Sequence, residues 1–242
     1  MLTHYQRSFN RFEIKYLVPH RIVRNLVDEL EGYVYPDPNW DSEWGYPVSS
    51  IYWDSDDFKL FWEKIEGIKF RRKLRMRRYG DSPHAFIEIK QRTDRTVQKR
   101  RVRWPIEQIE ALFGHGPEFD EPMVEPEEPV VSEAIWLRHQ YRLRPRMAIS
   151  YLRRAYYGSF EPDLRITFDR RVHYGHTHVD IGKRFGGGKY LVDPRLVIME
   201  IKYSDRVPVW LCKLASRHGL QMIRLSKYCT AVDHTFYDST LT

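Results

Sequence analysis

Apolar and charged positions alternate along several stretches of this chain. In three of them the alternation is written with the same tripeptide: Glu13-Ile14-Lys15, Glu88-Ile89-Lys90 and Glu200-Ile201-Lys202. Successive side chains of an extended strand leave opposite faces, so each copy sets a carboxylate and an ammonium on one face and an isoleucine on the other. Arg75-Met76-Arg77, Lys99-Arg100-Arg101 and the run Arg165 to Arg171 repeat the scheme with cations. Alternation, together with β-branched and aromatic content, predicts eight strands near residues 10–18, 47–53, 69–79, 84–92, 96–104, 146–157, 163–173 and 195–203. Helical periodicity fills the intervals. Ile22, Val23, Leu26, Val27 and Leu30 share one face of a helix running from Pro19 to Glu31 and stopped by Gly32. A second is expected from a Ser55 cap, with Asp56 and Asp57 in its first turn, to Gly67, and a short third from Pro105 to Gly114. Three more are expected near 131–143, 208–218 and 227–237, the last capped by Ser226.

Eight mostly consecutive strands with short connections favour an antiparallel sheet, and one charged face against one apolar face favours its closure. The apolar helix faces need something to cover, and Ile14, Ile87, Ile89, Ile166, Ile198 and Ile201 supply it on the outside. The charges then point inward. The expected architecture is α+β, a single domain over residues 1–242: an eight-stranded antiparallel β-barrel tunnel with a charged lumen, flanked by about six helices. Ions stranded in a dry interior are prohibitively unfavourable, so such a lumen must hold water, cross-pairing and a ligand.

Charge sharpens the picture. Forty Lys and Arg against 33 Asp and Glu give a net charge of +7, which points to an acidic partner: nucleic acid, anionic lipid or a phosphorylated molecule. Two cysteines, Cys212 and Cys229, are too few for a disulfide framework. The first residues lack the apolar run of a signal peptide, and no stretch approaches the roughly 20 apolar residues of a membrane span. A soluble, cytoplasmic protein is expected, compatible with a membrane-protein partner. Pro117 to Pro129, with six acids and four prolines, reads as a solvated loop, and Gly186-Gly187-Gly188 as a hairpin tip. His176-x-His178 lacks a third ligand for a metal site.

Taken in order, the Glu13-Ile14-Lys15 segment, Leu74-Arg75-Met76-Arg77, Ile87-Glu88-Ile89-Lys90, Tyr151-Leu152-Arg153-Arg154-Ala155-Tyr156, the segment Leu164 to Asp169, Met199-Glu200-Ile201-Lys202-Tyr203 and Leu225-Ser226-Lys227-Tyr228 resemble the VTC domain. This is the catalytic domain of vacuolar transporter chaperone polyphosphate polymerases, within the triphosphate tunnel metalloenzyme (CYTH-like) superfamily. The resemblance spans residues 9–234. It implies catalytic roles for Lys15, Arg75, Arg77, Lys90, Arg153, Arg165 and Lys227 around a triphosphate or polyphosphate. It also implies substrate binding by Lys99, Arg101, Tyr151, Lys202 and Ser226, and a Mn²⁺ or Mg²⁺ ion on Glu200, with Glu88 as a second ligand. The Ser226-Lys227 pair opens the last expected helix, where free N–H groups attract phosphate. Parity places Lys73 on the face of Arg75 and Arg77, and Arg72 and Arg78 on the other.

One departure separates branches of the superfamily. Tunnel triphosphatases open with Glu-x-Glu-x-Lys, whereas this chain has Arg11-Phe12-Glu13-Ile14-Lys15. A cation in place of the first carboxylate suits a polymerase, whose acceptor is already an anionic phosphate and needs no general base. The implied reaction is ATP + polyP(n) → ADP + polyP(n+1). Two alternatives stay open: a metal-dependent tri- or polyphosphatase of the same fold, and a binding module for polyphosphate or nucleic acid without turnover. The aromatic content would suit base stacking, but Glu13, Glu88 and Glu200 on the lysine faces argue against a nucleic-acid backbone as the partner.

Overall fold

A computed structural model describes residues 12–40, 43–94, 96–113, 127–176, 181, 187–204 and 206–237. β1 (Phe12–Pro19) leads through a single tight turn into α1 (Val23–Glu29), and β2 (Val34–Pro36) and β3 (Tyr46–Asp54) follow. After α2 (Lys59–Ile65) come β4 (Phe70–Tyr79), β5 (His84–Thr93) and β6 (Thr96–Pro105), then α3 (Ile106–Phe113) and α4 (Pro129–Tyr141). The second half holds β7 (Arg144–Gly158), β8 (Arg165–Gly175), β9 (Lys189–Tyr190), β10 (Leu196–Tyr203), α5 (Val209–Arg217) and α6 (Lys227–Val232), which widens into a last turn, Asp233–Tyr237. The eight expected strands are β1, β3 to β8 and β10, and the six expected helices are all present.

All neighbours pair antiparallel in the order β1-β10-β8-β7-β3-β4-β5-β6, with β2 beside the end of β7 and β9 beside β8. The meander β3 to β6 makes one wall; β7, β8, β10 and β1 make the other. Full closure was expected, but among the described residues no backbone ladder joins β1 to β6. The free edge of β1 is instead met by the segment before α6: Met222 bridges to Tyr16, and the Ile223 N–H donates to the Lys15 carbonyl at 2.9 Å.

Register fixes the two faces. Glu13 lies opposite Lys202, Lys15 opposite Glu200, Glu200 opposite Thr167, and Asp169 opposite Arg153. On the other wall Arg75 stands between Tyr52 and Glu88, and Lys90 between Lys73 and Lys99. The charged halves of all three Glu-Ile-Lys motifs therefore share one concave surface. The opposite face is buried under helices. Ile51, Leu74, Met76, Ile87 and Ile89 pack on α3 and α4, while Ile166, Met199 and Ile201 pack on α1 and α5.

Ile198 departs from the expected arrangement. Two residues before Glu200, it shares the lumenal face, and it packs with Tyr52, Met147, Val172, Tyr228 and Val232. This inner apolar cluster seats α6 within one end of the tunnel. A bulge helps to build it: the β7–β8 register shifts between Ser150 and Leu152, and Arg171 adopts a positive φ of 49°. Val172 and Tyr174 beyond the bulge thereby join the inner cluster. The start of α2 also differs. Ser55 was expected to cap a helix beginning at once, yet the helix begins at Lys59, and the buried Asp54 takes the Leu60 and Phe61 N–H groups at 2.8 and 3.0 Å. Gly45, just before β3, has φ 86°, and a Cβ there would lie 1.9 Å from the Arg153 carbonyl. Only glycine lets that loop lie against β7 at the point where Arg153 enters the lumen.

Candidate active site: the charged lumen

Four buried charges form the centre of the concave surface. Asp169, with no exposed surface, accepts hydrogen bonds from Arg153 Nε and Nη2 at 2.6 and 2.7 Å. Its Oδ2 also lies 2.7 Å from Lys227 Nζ, which donates to Glu200 Oε1 at 2.7 Å. Glu200 is further surrounded by Lys202 at 3.4 Å and by Lys15 and Arg153 at 3.7 Å each. Burial alone would raise both carboxyl pKa values. For Asp169 the charges of Arg153 and Lys227 outweigh it, and for Glu200 those of Lys227, Lys202 and Lys15 do, so both stay ionised. Burial opposes the charge on Lys227 too, but Asp169 and Glu200 raise its pKa.

Around this core the two walls differ. On the β1–β10 side Lys15 pairs with Glu13 at 2.9 Å and donates to the Leu225 carbonyl at 2.8 Å. Glu13 is pushed up by burial, but Lys15 and Lys202 bring it down to about 2. Lys202 is lowered to about 8 by burial, with Glu200 and Glu13 opposing. On the β4–β6 side Arg75 pairs with Glu88 at 2.5 Å and reaches the Tyr52 hydroxyl at 3.2 Å, and Arg77 donates to Ser50 Oγ at 3.0 Å. Lys90 makes no ion pair among the described residues. Burial and the neighbouring charge of Lys99 lower it to about 7. Arg101 lies over the Phe86 ring at 5.2 Å. Lys73, Lys90 and Lys99 thus form a row of like charges on one wall.

The rim near Arg165 is held by Asp37, which is 3% exposed. Its Oδ2 accepts from Arg165 Nη2 at 3.1 Å, the Tyr46 hydroxyl at 3.2 Å and the Tyr157 hydroxyl at 3.4 Å. Two hydroxyls deeper in the lumen have no hydrogen-bond partner among the described residues. Tyr151 Oη and Thr167 Oγ1 are both buried without a hydrogen bond, and the Tyr151 ring carries Arg153 and Lys227 at 5.0 Å each. Unsatisfied buried hydroxyls are rare in folded proteins, and beside cations they suit an anionic ligand that completes the bonding.

The expected site residues therefore share one surface in two roles. Lys15, Arg75, Lys90, Lys99, Arg101, Arg165 and Lys202 line it with partly or fully exposed side chains, Arg77 is buried in the β3–β4 wall, and Tyr151 aims a hydroxyl into it. Arg153 and Lys227 are 3% and 8% exposed and neutralise Asp169 and Glu200. Ser226 Oγ accepts the Cys229 N–H at 3.4 Å as the cap of the six-residue α6. Sequence reasoning gave no site role to Asp169, Asp37 or Glu13. Asp169 shares the parity of Arg165, which was the available signal. Arg11 and His178 lie outside the described residues.

Among the described residues no three His, Cys, Asp or Glu side chains gather as a metal-ligand set. Hard divalent ions such as Mg²⁺ are commonly held by one or two carboxylates, with phosphate oxygens and water supplying the rest. Glu200 is the buried carboxylate that would supply one such ligand, and in this structure it is ion-paired with Lys227 and within 3.7 Å of three further cations. Glu88 is committed to Arg75 on the other wall.

The lumen is thus a concave antiparallel sheet whose inner face carries Lys and Arg around a few carboxylates. Solved structures with this fold include a candidate adenylate cyclase from Bacillus halodurans, with a TM-score of 0.55 and 13% identity over 93% of this chain and 96% of that one. A second candidate adenylate cyclase, from Vibrio parahaemolyticus, gives a TM-score of 0.48 and 14% identity over 93% and 98%. A Hippeastrum adenylyl cyclase candidate described as having a dominant triphosphatase activity gives 0.47 and 15% over 92% and 94%. The VTC domain model matches residues 10–236, and the chain belongs to that family. Among curated proteins, none matches the sequence.

Proposed function

We propose that this protein is an ATP:polyphosphate phosphotransferase, extending a polyphosphate chain inside the tunnel. The observation that carries transfer over hydrolysis is the pairing of the lumenal carboxylates. Glu13 is bound to Lys15, Glu88 to Arg75, Asp169 to Arg153 and Lys227, and Glu200 to Lys227 with three more cations around it. Each is held as an ion, which makes it a poor general base for activating water. A terminal polyphosphate oxygen is already anionic and needs no base.

In the reaction, that oxygen attacks the γ-phosphorus in line. A new P–O–P bridge forms as the bond from the γ-phosphorus to the β,γ-bridging oxygen breaks, and ADP leaves with that oxygen. Arg75, Arg77, Lys90 and Lys99 would bind the phosphates from one wall, and Lys15, Lys202 and Arg165 from the other. Tyr151 would donate its hydroxyl to a phosphate oxygen. Asp169 keeps Arg153 and Lys227 in place behind Glu200, fixing the positive field before substrate arrives. A Mn²⁺ or Mg²⁺ ion on Glu200 would supply charge neutralisation for the transferred group. The Lys90, Lys99 and Lys73 row would lead the product past α6.

The test is incubation with ATP and Mn²⁺, with and without a short polyphosphate primer, followed through polyphosphate gels and assays of ADP and orthophosphate. A metal-dependent ladder with matching ADP supports transfer. Orthophosphate without a ladder assigns a tunnel phosphatase, and binding without ADP release assigns a non-catalytic module.

A further inference from the structure

One mouth of the tunnel carries an aromatic row that the transfer chemistry does not use. Tyr35 on β2 pairs with Tyr157 on β7, and the rings stack with centroids 5.8 Å apart and planes 30° from parallel. The Arg165 guanidinium sits 5.1 Å from the centre of the Tyr157 ring. Tyr157 is locked from behind, because its hydroxyl donates to Asp37, the same carboxylate that holds Arg165 and Tyr46. Asn39 closes this anchor, giving its backbone N–H at 3.0 Å and its side-chain amide at 2.7 Å to Asp37 Oδ1. Guanidinium, inner ring and outer ring thus stand side by side on β8, β7 and β2 along the rim of the lumen. The outermost ring, Tyr35, is 52% exposed. At the opposite end Tyr228 of α6 stacks on Tyr52 at 5.1 Å, and both rings are buried.

We infer that the free face of Tyr35 is the stacking platform for the nucleobase of the bound nucleoside triphosphate, an inference that rests on the tunnel being a triphosphate site. A triphosphate whose phosphates meet Arg165 and Lys202 would set its nucleoside along the rim, past Tyr157 at the exposed ring of Tyr35. Tyr35 and Tyr157 already touch, so the base adds to the row and does not enter it. Stacking accepts any π-face, so the subsite strengthens nucleotide binding with little discrimination among bases.

The experiment is calorimetric titration of the full chain, wild type and Tyr35 variants, with a non-hydrolysable ATP analogue and with inorganic tripolyphosphate. Tyr35→Ala is expected to weaken the analogue on the order of 10-fold, the usual loss for one base-stacking aromatic, and to leave tripolyphosphate unchanged. Tyr35→Trp restores the analogue. Unchanged analogue affinity in Tyr35→Ala overturns the subsite while the tunnel reading stands, and equal losses for both ligands also overturn it by making Tyr35 a purely structural residue. A wild type that binds neither ligand overturns both readings.

Discussion

Replacing Asp169 by Asn tests whether the lumen is built on a balanced buried quartet. Asp169 and Glu200 oppose Arg153 and Lys227, and all four are at most 8% exposed. Asn keeps the shape but removes one charge, and its amide N–H₂ meets the donors of Arg153 or Lys227. Two buried cations are left to share Glu200. Breaking a buried ion pair from one side destabilises by about 3–5 kcal/mol. For a chain of this size each kcal/mol lowers Tm by about 2–4 °C, so the melt should fall by roughly 6–20 °C. The uncompensated cation should also strengthen polyanion binding. Thermal melts with and without tripolyphosphate read both effects, because ligand at about 100 times its Kd adds about 2.7 kcal/mol and tighter binding adds more. A variant melting within about 2 °C of wild type, or gaining no more than wild type from tripolyphosphate, refutes the reasoning.

Three further outcomes follow from the same geometry. Glu200→Gln should lower metal-dependent ADP release by on the order of 100-fold or more, and a rate within about threefold of wild type removes Glu200 from the metal role. Tyr151→Phe deletes a buried hydroxyl without a partner, so the ligand-free protein should melt at or slightly above the wild-type temperature while tripolyphosphate binds about 5–10-fold more weakly; unchanged affinity would free the hydroxyl from a phosphate role. Glu13 has a pKa near 2 in the folded chain against an ordinary 4.5, so its contribution to stability is complete above about 4.5 and is lost as pH falls toward 2. The urea midpoint should drop between pH 5 and pH 3, and Glu13→Gln should flatten that drop; an equally steep loss in the variant would mean Glu13 does not carry it.

Parity and periodicity in the sequence were enough to find the strands, because a half-charged, half-apolar strand has one stable orientation in a covered sheet. The same rule also shows where the reading slipped. Ile198 was assigned to the outer face with Ile201, although three residues separate them and strand faces alternate by two. Its apolar character suggested a covering helix, and the helix that covers it, α6, lies on the inside. The bulge at Arg171 breaks the alternation in β8, so no count along the sequence places Val172 and Tyr174. Asp169 escaped notice because a carboxylate's importance depends on what faces it, and its partners come from residues 153 and 227, distant in sequence. The motif residues were legible as a set, but which are exposed to ligand and which are buried as counter-charges is a property of packing.

The missing ladder between β1 and β6 gives the tunnel a mechanical character. A closed barrel has its diameter fixed by strand number and shear. Here the girth is free of that rule at one seam, where Lys15 fastens the approach to α6 through the Leu225 carbonyl and Glu13 acts on Lys90 across the gap. Among the described residues, side chains and the Tyr16–Met222 bridge with its Ile223–Lys15 hydrogen bond, not a continuous ladder, span that line. The girth at that seam is set by side-chain contacts and a short bridge in place of a strand ladder.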